Sequence, residues 1–298
     1  MTKWTAADIP DQSGRTAIVT GANSGLGLCT AAALARAGAQ VILACRDTGK
    51  GSDAASRMTG DVEVRRLDLA DLDSVRRFAD TVDAPVDLLV NNAGVMAIPL
   101  RRTAQGFEMQ VGTNHLGHFA LTGLLLDRVT DRVVTLSSVM HRIGAIRLDD
   151  LSWERGYHQW PAYGQSKLAN LMFAYELQHR LDAAGSTVRS MAAHPGYART
   201  NLQSRTESPL DVVTNVLNRV WAQSATMGAL PTLYAATAPD LPGGTYVGPD
   251  GLGQQRGHPK PVGSNRRSRD REVQRRLWGL SEELTGVEFD LPSTVSSS

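Results

Sequence analysis

The sequence has few cysteines, lysines and aromatic residues, and it has no long hydrophobic run. Its only two cysteines, Cys29 and Cys45, fall within a predicted helix and at a predicted strand end, which excludes a disulfide framework or a cysteine zinc site. Its longest apolar stretches, such as residues 119–126, are far shorter than the roughly 18 residues that span a bilayer. The N-terminus also lacks a hydrophobic signal core, so we expect a cytoplasmic protein without a membrane anchor.

Neither sign of charge is in excess, because 31 Lys and Arg face 30 Asp and Glu and give a net charge of +1. A protein that binds nucleic acid needs at least a local basic patch. The one arginine-rich stretch, residues 266–276, is interleaved with Asp270 and Glu272, and we interpret it as a solvated face. We therefore expect no nucleic-acid partner.

Apolar, β-rich segments alternate with helical patterns along most of the 298 residues. The pattern predicts strands over residues 16–20, 41–45, 62–69, 87–91, 132–138, 188–193 and 245–247. It predicts helices over residues 26–37, 72–82, 106–129, 163–184 and 227–238, and a short surface helix over 270–284. Such alternation is typical of βαβ units, so we expect an α/β protein whose single doubly wound domain has a mostly parallel, seven-stranded sheet.

Three irregular segments carry further expectations. Residues 140–161 and 197–224 supply apolar side chains to otherwise irregular chain, and we predict that they form a pocket wall and a substrate lid over a hydrophobic ligand. Residues 248–298 are predicted to be a C-terminal loop and tail, with exposed loop up to about residue 271.

A glycine-rich turn joins the first predicted strand directly to a helix. Glycines permit a tight turn and let backbone N–H groups approach a phosphate, while the helix N-terminus contributes partial positive charge. The spacing Gly-x-x-x-Gly-x-Gly differs from the Gly-x-Gly-x-x-Gly fingerprint, so a purely structural turn is the alternative. The predicted dinucleotide-binding residues here are Gly21, Asn23, Ser24, Gly25, Leu26 and Gly27.

The end of the second strand bears on the choice of cofactor. A carboxylate at this point accepts the ribose hydroxyls of NAD, whereas a cation accommodates the 2′-phosphate of NADP. The chain offers the uncharged Cys45 and then Arg46, which favours NADP over NAD. Asp47 is expected to point toward the following helix; if it faced the ribose it would favour NAD, and Arg46 could also be an ordinary surface residue.

Tyr163 and Lys167 lie four residues apart at the start of a strongly periodic helix, so they share one face. Only four lysines occur in the chain, and about 0.08 Tyr-to-Lys pairs at this spacing are expected by chance. A nearby ammonium lowers the pKa of a phenol, which suits proton exchange with a carbonyl/alcohol pair. An ordinary surface pair is the alternative.

Seven motifs in order resemble the short-chain dehydrogenase/reductase family over nearly the whole chain, which implies a Rossmann fold. They are Thr20-Gly21-x-x-x-Gly25-x-Gly27, Asp68, Asn91-Asn92-Ala93-Gly94, Asn114, Ser138, Tyr163-Gly164-Gln165-Ser166-Lys167, and Pro195-Gly196 with Thr200. Asn114-His115-Leu116-Gly117-His118-Phe119 and residues 163–170 are further similar to its retinol-dehydrogenase-like and protochlorophyllide-reductase-like branch.

The resemblance implies a role for each matching residue. Tyr163 would be the general acid and base, Lys167 would tune it and bind the nicotinamide ribose, and Asn114 would hold a water in a proton relay. Ser138 would bond the substrate oxygen, with Ser137 as the competing candidate.

The remaining matches would contact the cofactor: Asp68 and Leu69 near the adenine, Asn92, Ala93 and Gly94 along it, and Pro195, Gly196 and Thr200 toward the carboxamide. Asn91 and Asn92 could instead only tie strands together, and Asp68 could only cap the next helix. His115 and His118 lie three apart without an apparent third ligand, so we predict no metal site.

The sequence therefore predicts an NADP(H)-dependent oxidoreductase acting on a carbonyl/alcohol pair of a medium-sized hydrophobic substrate. Two alternatives on the same scaffold are a noncatalytic NADP sensor and a double-bond reductase. The family's habit of pairing subunits through the helices near 106–129 and 163–184 implies a homodimer or homotetramer.

Overall fold

One sheet of eight strands organises the protein, in the order β3-β2-β1-β4-β5-β6-β7-β8. The computed structural model describes residues 3–197 and 223–291. The strands are β1 (Thr16–Thr20), β2 (Gln40–Cys45), β3 (Val62–Arg66), β4 (Val86–Asn91), β5 (Val129–Leu136), β6 (Arg189–Ala193), β7 (Tyr246–Pro249) and β8 (Pro259–Pro261). All neighbouring strands are parallel except β7 and β8. The predicted α/β, doubly wound class is confirmed.

The predicted number of seven strands is wrong, because β8 pairs antiparallel with β7 inside the segment expected to be exposed loop. Two of the three residues of β8 are prolines, which cannot donate ladder hydrogen bonds and are tolerated at a sheet edge. A strand this short and this rich in proline leaves no alternating pattern in the sequence.

Helices cover both faces of the sheet. They are α1 (Gly25–Arg36), α2 (Thr48–Ala55), α3 (Leu72–Ala79), α4 (Met109–Val111), α5 (Gly117–Leu125), α6 (Gln159–Ala183), α7 (Ala225–Thr237) and α8 (Arg271–Thr285). Alternate residues of β1 serve the two faces, since Ala17 and Val19 pack with α1 and α7 while Ile18 packs with α3, α5 and α6. Within residues 3–197 and 223–291, no helix combines the length and apolarity needed to cross a membrane.

The long helix predicted over residues 106–129 is broken into pieces. A π-helical segment, Gly112–Leu116, separates α4 from α5. A Cβ atom on Gly117 would lie 2.4 Å from the Leu69 carbonyl oxygen, so the chain passes the end of the third strand too closely for any side chain there. The π segment places Asn114 at the sheet edge where the candidate site lies, and π-bulges often mark functional sites.

The C-terminal helix α8 is part of the core rather than the short surface helix that the sequence predicted. It packs on α5 and α6, where Trp278 contacts Phe119 and Phe173 with ring centroids 5.1 and 5.7 Å apart. Leu277 lies in a second apolar cluster with Leu168 and other residues of α6. Because α8 has many charged residues, its narrow apolar stripe is not evident from the sequence, and the helix was therefore predicted to lie on the surface.

We predict that Leu277→Ala lowers the free energy of unfolding by about 2 to 5 kcal/mol, because a cavity replaces a side chain that is 2% exposed. The same change at Leu252, which is 98% exposed, serves as the matched control and should cost under about 0.5 kcal/mol. Urea denaturation measures both. Equal losses in the two variants would contradict the placement of α8 in the core.

Candidate active site

The residues predicted to carry chemistry meet at the carboxyl ends of β1, β4 and β5. In open parallel sheets, this edge is where ligands bind, at the point where the strand order reverses on either side of β1. Here β1 lies between β2 and β4, so the turns after β1 and β4 flank the crevice.

The turn after β1 has no room for a side chain at Gly21 or Gly27. Gly21 and Gly25 have φ values of +65° and +57°, which only glycine adopts readily. A Cβ on Gly27 would lie 2.5 Å from both the Asn92 amide nitrogen and the Gly21 carbonyl oxygen. Ser24 begins α1 without capping it through its side chain. The uncapped N-terminus and the bare backbone fit a dinucleotide phosphate.

Two asparagine side chains at the end of β4 connect this strand to its neighbours. Asn92 donates from its amide to the Thr20 carbonyl oxygen of β1 at 2.7 Å, and buried Asn91 donates to Thr135 of β5 at 3.4 Å and to Thr122 of α5 at 2.9 Å. The structural alternative therefore describes both side chains well. Gly94 differs, because a Cβ there would lie 3.5 Å from the Lys167 ammonium nitrogen, so its bare backbone faces the catalytic candidates.

Tyr163, Lys167 and Ser138 come together where α6 crosses the end of β5. The Lys167 nitrogen lies 5.9 Å from the centroid of the Tyr163 ring and donates to the Leu136 carbonyl oxygen at 3.1 Å. The Ser138 side chain lies close enough to the Tyr163 phenol to lower its pKa, and its hydroxyl accepts from the Met140 N–H at 3.2 Å. Ser137 instead donates to the Lys167 carbonyl oxygen at 2.8 Å, so of the two serines Ser138 faces the phenol.

The pKa of Tyr163 differs from the sequence-based expectation. Burial raises it to about 12, and the hydrogen bond from Ser138 only partly offsets that rise. Burial also lowers the pKa of Lys167 to about 8, so the expected phenolate-stabilising ammonium is itself desolvated. Spacing alone predicted a lowered phenol pKa, whereas burial raises it.

Asn114 is held from three sides. Its side-chain oxygen accepts from the Val95 N–H at 2.7 Å, and its amide donates to the Val95 carbonyl oxygen and to the Ser166 hydroxyl, both at 2.9 Å. A Cβ on Gly94 would lie 3.0 Å from the Asn114 side-chain oxygen. Asn114 thus lies next to Gly94, which is also close to Lys167.

Arg46 follows the end of β2 and is exposed. The neighbouring carboxylate of Asp47 is hydrogen-bonded to the start of α2. Asp47 caps α2 by accepting from the Lys50 N–H at 3.0 Å and pairs with the Lys50 ammonium at 3.1 Å, the orientation expected of it. Cys45 is 2% exposed, and its thiol donates to the Asp47 carbonyl oxygen. Its side chain is therefore packed against α2 rather than open to a ribose.

The predicted adenine contacts lie after β3. Asp68 accepts from the Ala70 N–H at 3.1 Å and is half-buried, while Leu69 is buried. Asp71, not Asp68, caps α3, so the capping alternative for Asp68 is wrong.

The predicted contacts after β6 are only partly described. Gly196 has a φ of +65° and donates to the His194 ring at 3.2 Å, and Gln223 donates to the Pro195 carbonyl oxygen at 2.7 Å. Thr200 and nearly all of the predicted lid, residues 197–224, lie outside the described residues.

The predicted pocket wall, residues 140–161, is anchored to neighbouring loops. The Tyr157 hydroxyl donates to the Ile98 carbonyl oxygen at 2.7 Å and accepts from Gln110 at 2.9 Å. Arg102 holds Glu154 through two hydrogen bonds of 2.7 and 2.9 Å. Residues 140–161 are therefore fixed by hydrogen bonds to the chain segment that follows β4.

The histidine pair considered for a metal is engaged otherwise. His115 contacts the Ser281 hydroxyl at 2.9 Å, and His118 contacts Thr20 at the same distance. In the described parts of the chain, no cluster of three or more His, Cys, Asp or Glu could hold a metal ion. The sequence had no signal for the contact with Thr20, because 98 residues separate the two.

The doubly wound sheet, the phosphate-fitting turn and the Ser138, Tyr163 and Lys167 cluster define a nicotinamide-dependent oxidoreductase. The short chain dehydrogenase family matches residues 15–211, and the chain belongs to that family. Human retinol dehydrogenase 13 is 44% identical over 92% of this chain and 86% of its own length. Mouse polyprenol dehydrogenase is 40% identical over 94% of this chain and 86% of its own.

Solved structures agree with this assignment. An uncharacterised protein from Mycobacterium paratuberculosis is 55% identical, with a TM-score of 0.86 over 97% of this chain and all of the other. The Pseudomonas aeruginosa RhlG/NADP complex is 26% identical, with a TM-score of 0.62 over 78% of this chain and 94% of the other.

We predict that Ser138→Ala moves the acidic, ascending limb of kcat/KM for alcohol oxidation to higher pH, because Tyr163 loses a group that lowers its pKa and must be deprotonated to act as the base. The matched control is Ser137→Ala, whose hydroxyl bonds the Lys167 backbone and should leave the limb in place. A pH series at saturating cofactor measures both. Equal shifts in the two variants would overturn the assignment of Ser138.

Proposed function

We propose that the protein is an NADP(H)-dependent oxidoreductase that interconverts an alcohol and a carbonyl on a medium-sized hydrophobic substrate. The observation that carries the proposal is the convergence of Ser138, Tyr163 and Lys167 at the sheet edge that also holds the phosphate-fitting turn. Asn114, the fourth candidate catalytic residue, lies beside Gly94, which is also close to Lys167.

The proposed chemistry assigns one task to each side chain. In oxidation, the Tyr163 oxygen takes the proton of the substrate hydroxyl, and in reduction it returns a proton to the carbonyl oxygen. Ser138 donates to the substrate oxygen and steadies the phenolate. Lys167 adds positive charge nearby while remaining tied to the Leu136 carbonyl oxygen. The nicotinamide, when bound, accepts or supplies the hydride.

The cofactor would be held by residues that the structure groups along the crevice. The turn Gly21–Gly27 and the N-terminus of α1 would take the pyrophosphate, and Asn92–Gly94 would line the ribose side. Asp68 and Leu69 would meet the adenine, and Pro195, Gly196 and Thr200 would lie toward the carboxamide.

The hydrophobic character of the substrate is supported by apolar side chains at the site's edge. In the described parts of the chain, the large hydrophobic residues with substantial exposure all follow the carboxyl ends of β4 to β7: Leu100, Ile143, Trp160, Tyr197 and Leu252. Exposed apolar groups concentrated near a cleft indicate ligand binding. Two relatives are named as dehydrogenases of retinol and polyprenol, which supports an isoprenoid alcohol or aldehyde as the substrate of this protein.

The preference for NADP rests on charge at the end of β2. Arg46 is exposed, and the nearby carboxylate of Asp47 is capping α2. A 2′-phosphate would meet a cation without an opposing free carboxylate. The RhlG complex supports NADP as a cofactor of this fold.

The expected homodimer or homotetramer would need a surface other than the face of α6. Every residue from Ala162 to Gln178 is buried within the chain, and α8 covers α5 and α6. We propose that any subunit pairing uses a different face. The cytoplasmic location stays a prediction.

The proposal is tested with retinol, a long-chain isoprenoid alcohol, small hydroxy acids and a conjugated enone, following nicotinamide absorbance. We expect turnover of the hydrophobic alcohols and aldehydes. Tyr163→Phe should bind NADPH normally but lose more than 90% of kcat, because only the titratable oxygen is removed. Tyr175→Phe is the matched control, since that hydroxyl bonds Ser264 instead.

Three outcomes would count against the proposal. Preference for small hydroxy acids would exclude the hydrophobic pocket, and reduction of the enone double bond alone would identify a double-bond reductase. Cofactor binding without turnover of any compound would favour a sensor.

We predict that Arg46→Ala lowers the NADPH-over-NADH ratio of kcat/KM by about 10- to 100-fold, because one charge-assisted contact to the 2′-phosphate is lost. Arg57→Ala, an exposed arginine just beyond α2, is the control and should leave the ratio unchanged. Equal use of both cofactors by the unmodified protein would show that the end of β2 does not select NADP.

A further inference from the structure

The Thr20 hydroxyl, at the end of β1, is hydrogen-bonded to the chain segment that follows β4. Its oxygen accepts the backbone N–H groups of Asn92 and Ala93, each at 2.9 Å. A hydroxyl oxygen has two lone pairs and one proton, so both acceptor positions are filled and the proton must go elsewhere. Thr20 is fully buried, so bulk water does not reach this proton.

His118 accepts the hydrogen bond that the Thr20 hydroxyl donates. Its Nε2 atom lies 2.9 Å from the Thr20 hydroxyl, and its Nδ1 atom lies 3.0 Å from the Asn114 carbonyl oxygen. A carbonyl oxygen can only accept, so Nδ1 carries the ring proton and Nε2 is the acceptor. Burial keeps this ring neutral by lowering its pKa to about 4. The other acceptor near the Thr20 hydroxyl, the Val90 carbonyl oxygen, is farther away at 3.4 Å.

The resulting chain of hydrogen bonds runs between two parts of the candidate site. One end fixes the backbone of Asn92 and Ala93, which leads into Gly94. At the other end, the His118 ring is hydrogen-bonded to the backbone carbonyl oxygen of Asn114, which lies in the π segment Gly112–Leu116. Gly94 also lies next to the side chain of Asn114 and close to the Lys167 ammonium. His118 therefore connects, through the core, the two segments that frame the lysine.

We propose that His118 is a positioning residue, which sets the distance between the cofactor-lining backbone after β4 and the π segment that carries Asn114. It touches neither the reacting atoms nor the cofactor. This inference rests on the proposed function for its kinetic consequences, but its effect on cofactor affinity does not require a known substrate.

The two ring nitrogens can be tested separately. His118→Asn places an amide donor near the Nδ1 position, so it can keep the link to Asn114 while Thr20 loses its acceptor. His118→Gln places an amide oxygen near the Nε2 position, so it can keep the link to Thr20 while the Asn114 carbonyl loses its donor. His118→Phe removes both links and retains an aromatic ring.

His115→Phe is the matched control. His115 lies three residues before His118, within the π segment Gly112–Leu116, and is equally buried, but its ring contacts Ser281 of α8 rather than the site. Both phenylalanine variants lose one buried imidazole, so both should unfold at a lower temperature. Only the His118 variant should change the site.

The experiment measures the Kd of NADPH by fluorescence, kcat and KM for the best alcohol of the panel, and the unfolding temperature. We expect His118→Phe to lower kcat/KM by about 10- to 100-fold, the effect of losing one or two buried hydrogen bonds at a site that needs sub-ångström placement. We expect His115→Phe to change it less than about twofold. His118→Asn should mainly weaken NADPH binding, and His118→Gln should mainly lower kcat.

Equal kinetics in His118→Phe and His115→Phe, with only the unfolding temperature reduced, would overturn the proposal and leave His118 as a core residue. If His118→Phe does not fold, the Asn and Gln variants decide, and wild-type Kd and kcat in both would overturn it equally. A wild-type protein that binds NADPH but turns over no alcohol would refute the proposed function, while the NADPH affinities would still test His118.

Discussion

Burial of the helix α6 is the constraint on which the site depends. From Ala162 to Gln178 each residue is buried, so the helix has no solvent face on which to turn. Its rotation is set by packing on β5 and α8, and that rotation directs Tyr163 and Lys167 toward the crevice. A buried ammonium requires an acceptor, and the Leu136 carbonyl oxygen at the end of β5 supplies it. The core therefore positions this candidate catalytic pair.

Features that are local in sequence could be predicted well. The four-residue spacing of Tyr163 and Lys167 places them on one helical face in any helix, whatever surrounds it. The strand-to-glycine-turn pattern likewise needs only neighbouring residues, and Gly21 and Gly25 do adopt the left-handed backbone that their type permits. The preference of Asp47 for capping the next helix is also a short-range effect.

Features that depend on distant chain segments could not be predicted. The π segment exists where Gly117 must pass the Leu69 carbonyl oxygen, a contact between residues far apart in sequence. The role of α8 depends on the aromatic cluster that it completes with Phe119 and Phe173, and its own composition indicates a surface helix. The direction of the Cys45 side chain follows from the close packing of α2 on β2, which alternation alone does not specify.

The same burial explains which groups near the site respond to pH. Burial lowers the pKa of His118 to about 4, and it lowers the pKa values of His141 and His194 as well, so these rings are uncharged at neutral pH. Tyr163 and Lys167 are shifted in opposite senses, each away from its charged form.

A phenolate and an ammonium that form together stabilise each other, whereas either charge alone bears the full cost of desolvation. Because the Lys167 nitrogen lies 5.9 Å from the centre of the Tyr163 ring, we expect the two ionisations to be coupled, so that an observed pKa of catalysis would belong to the pair rather than to the tyrosine. Ser138 acts on this balance from outside the pair, because its hydrogen bond favours the phenolate without adding charge. Control of the proton thus depends on how deeply α6 is buried as well as on the identity of its side chains.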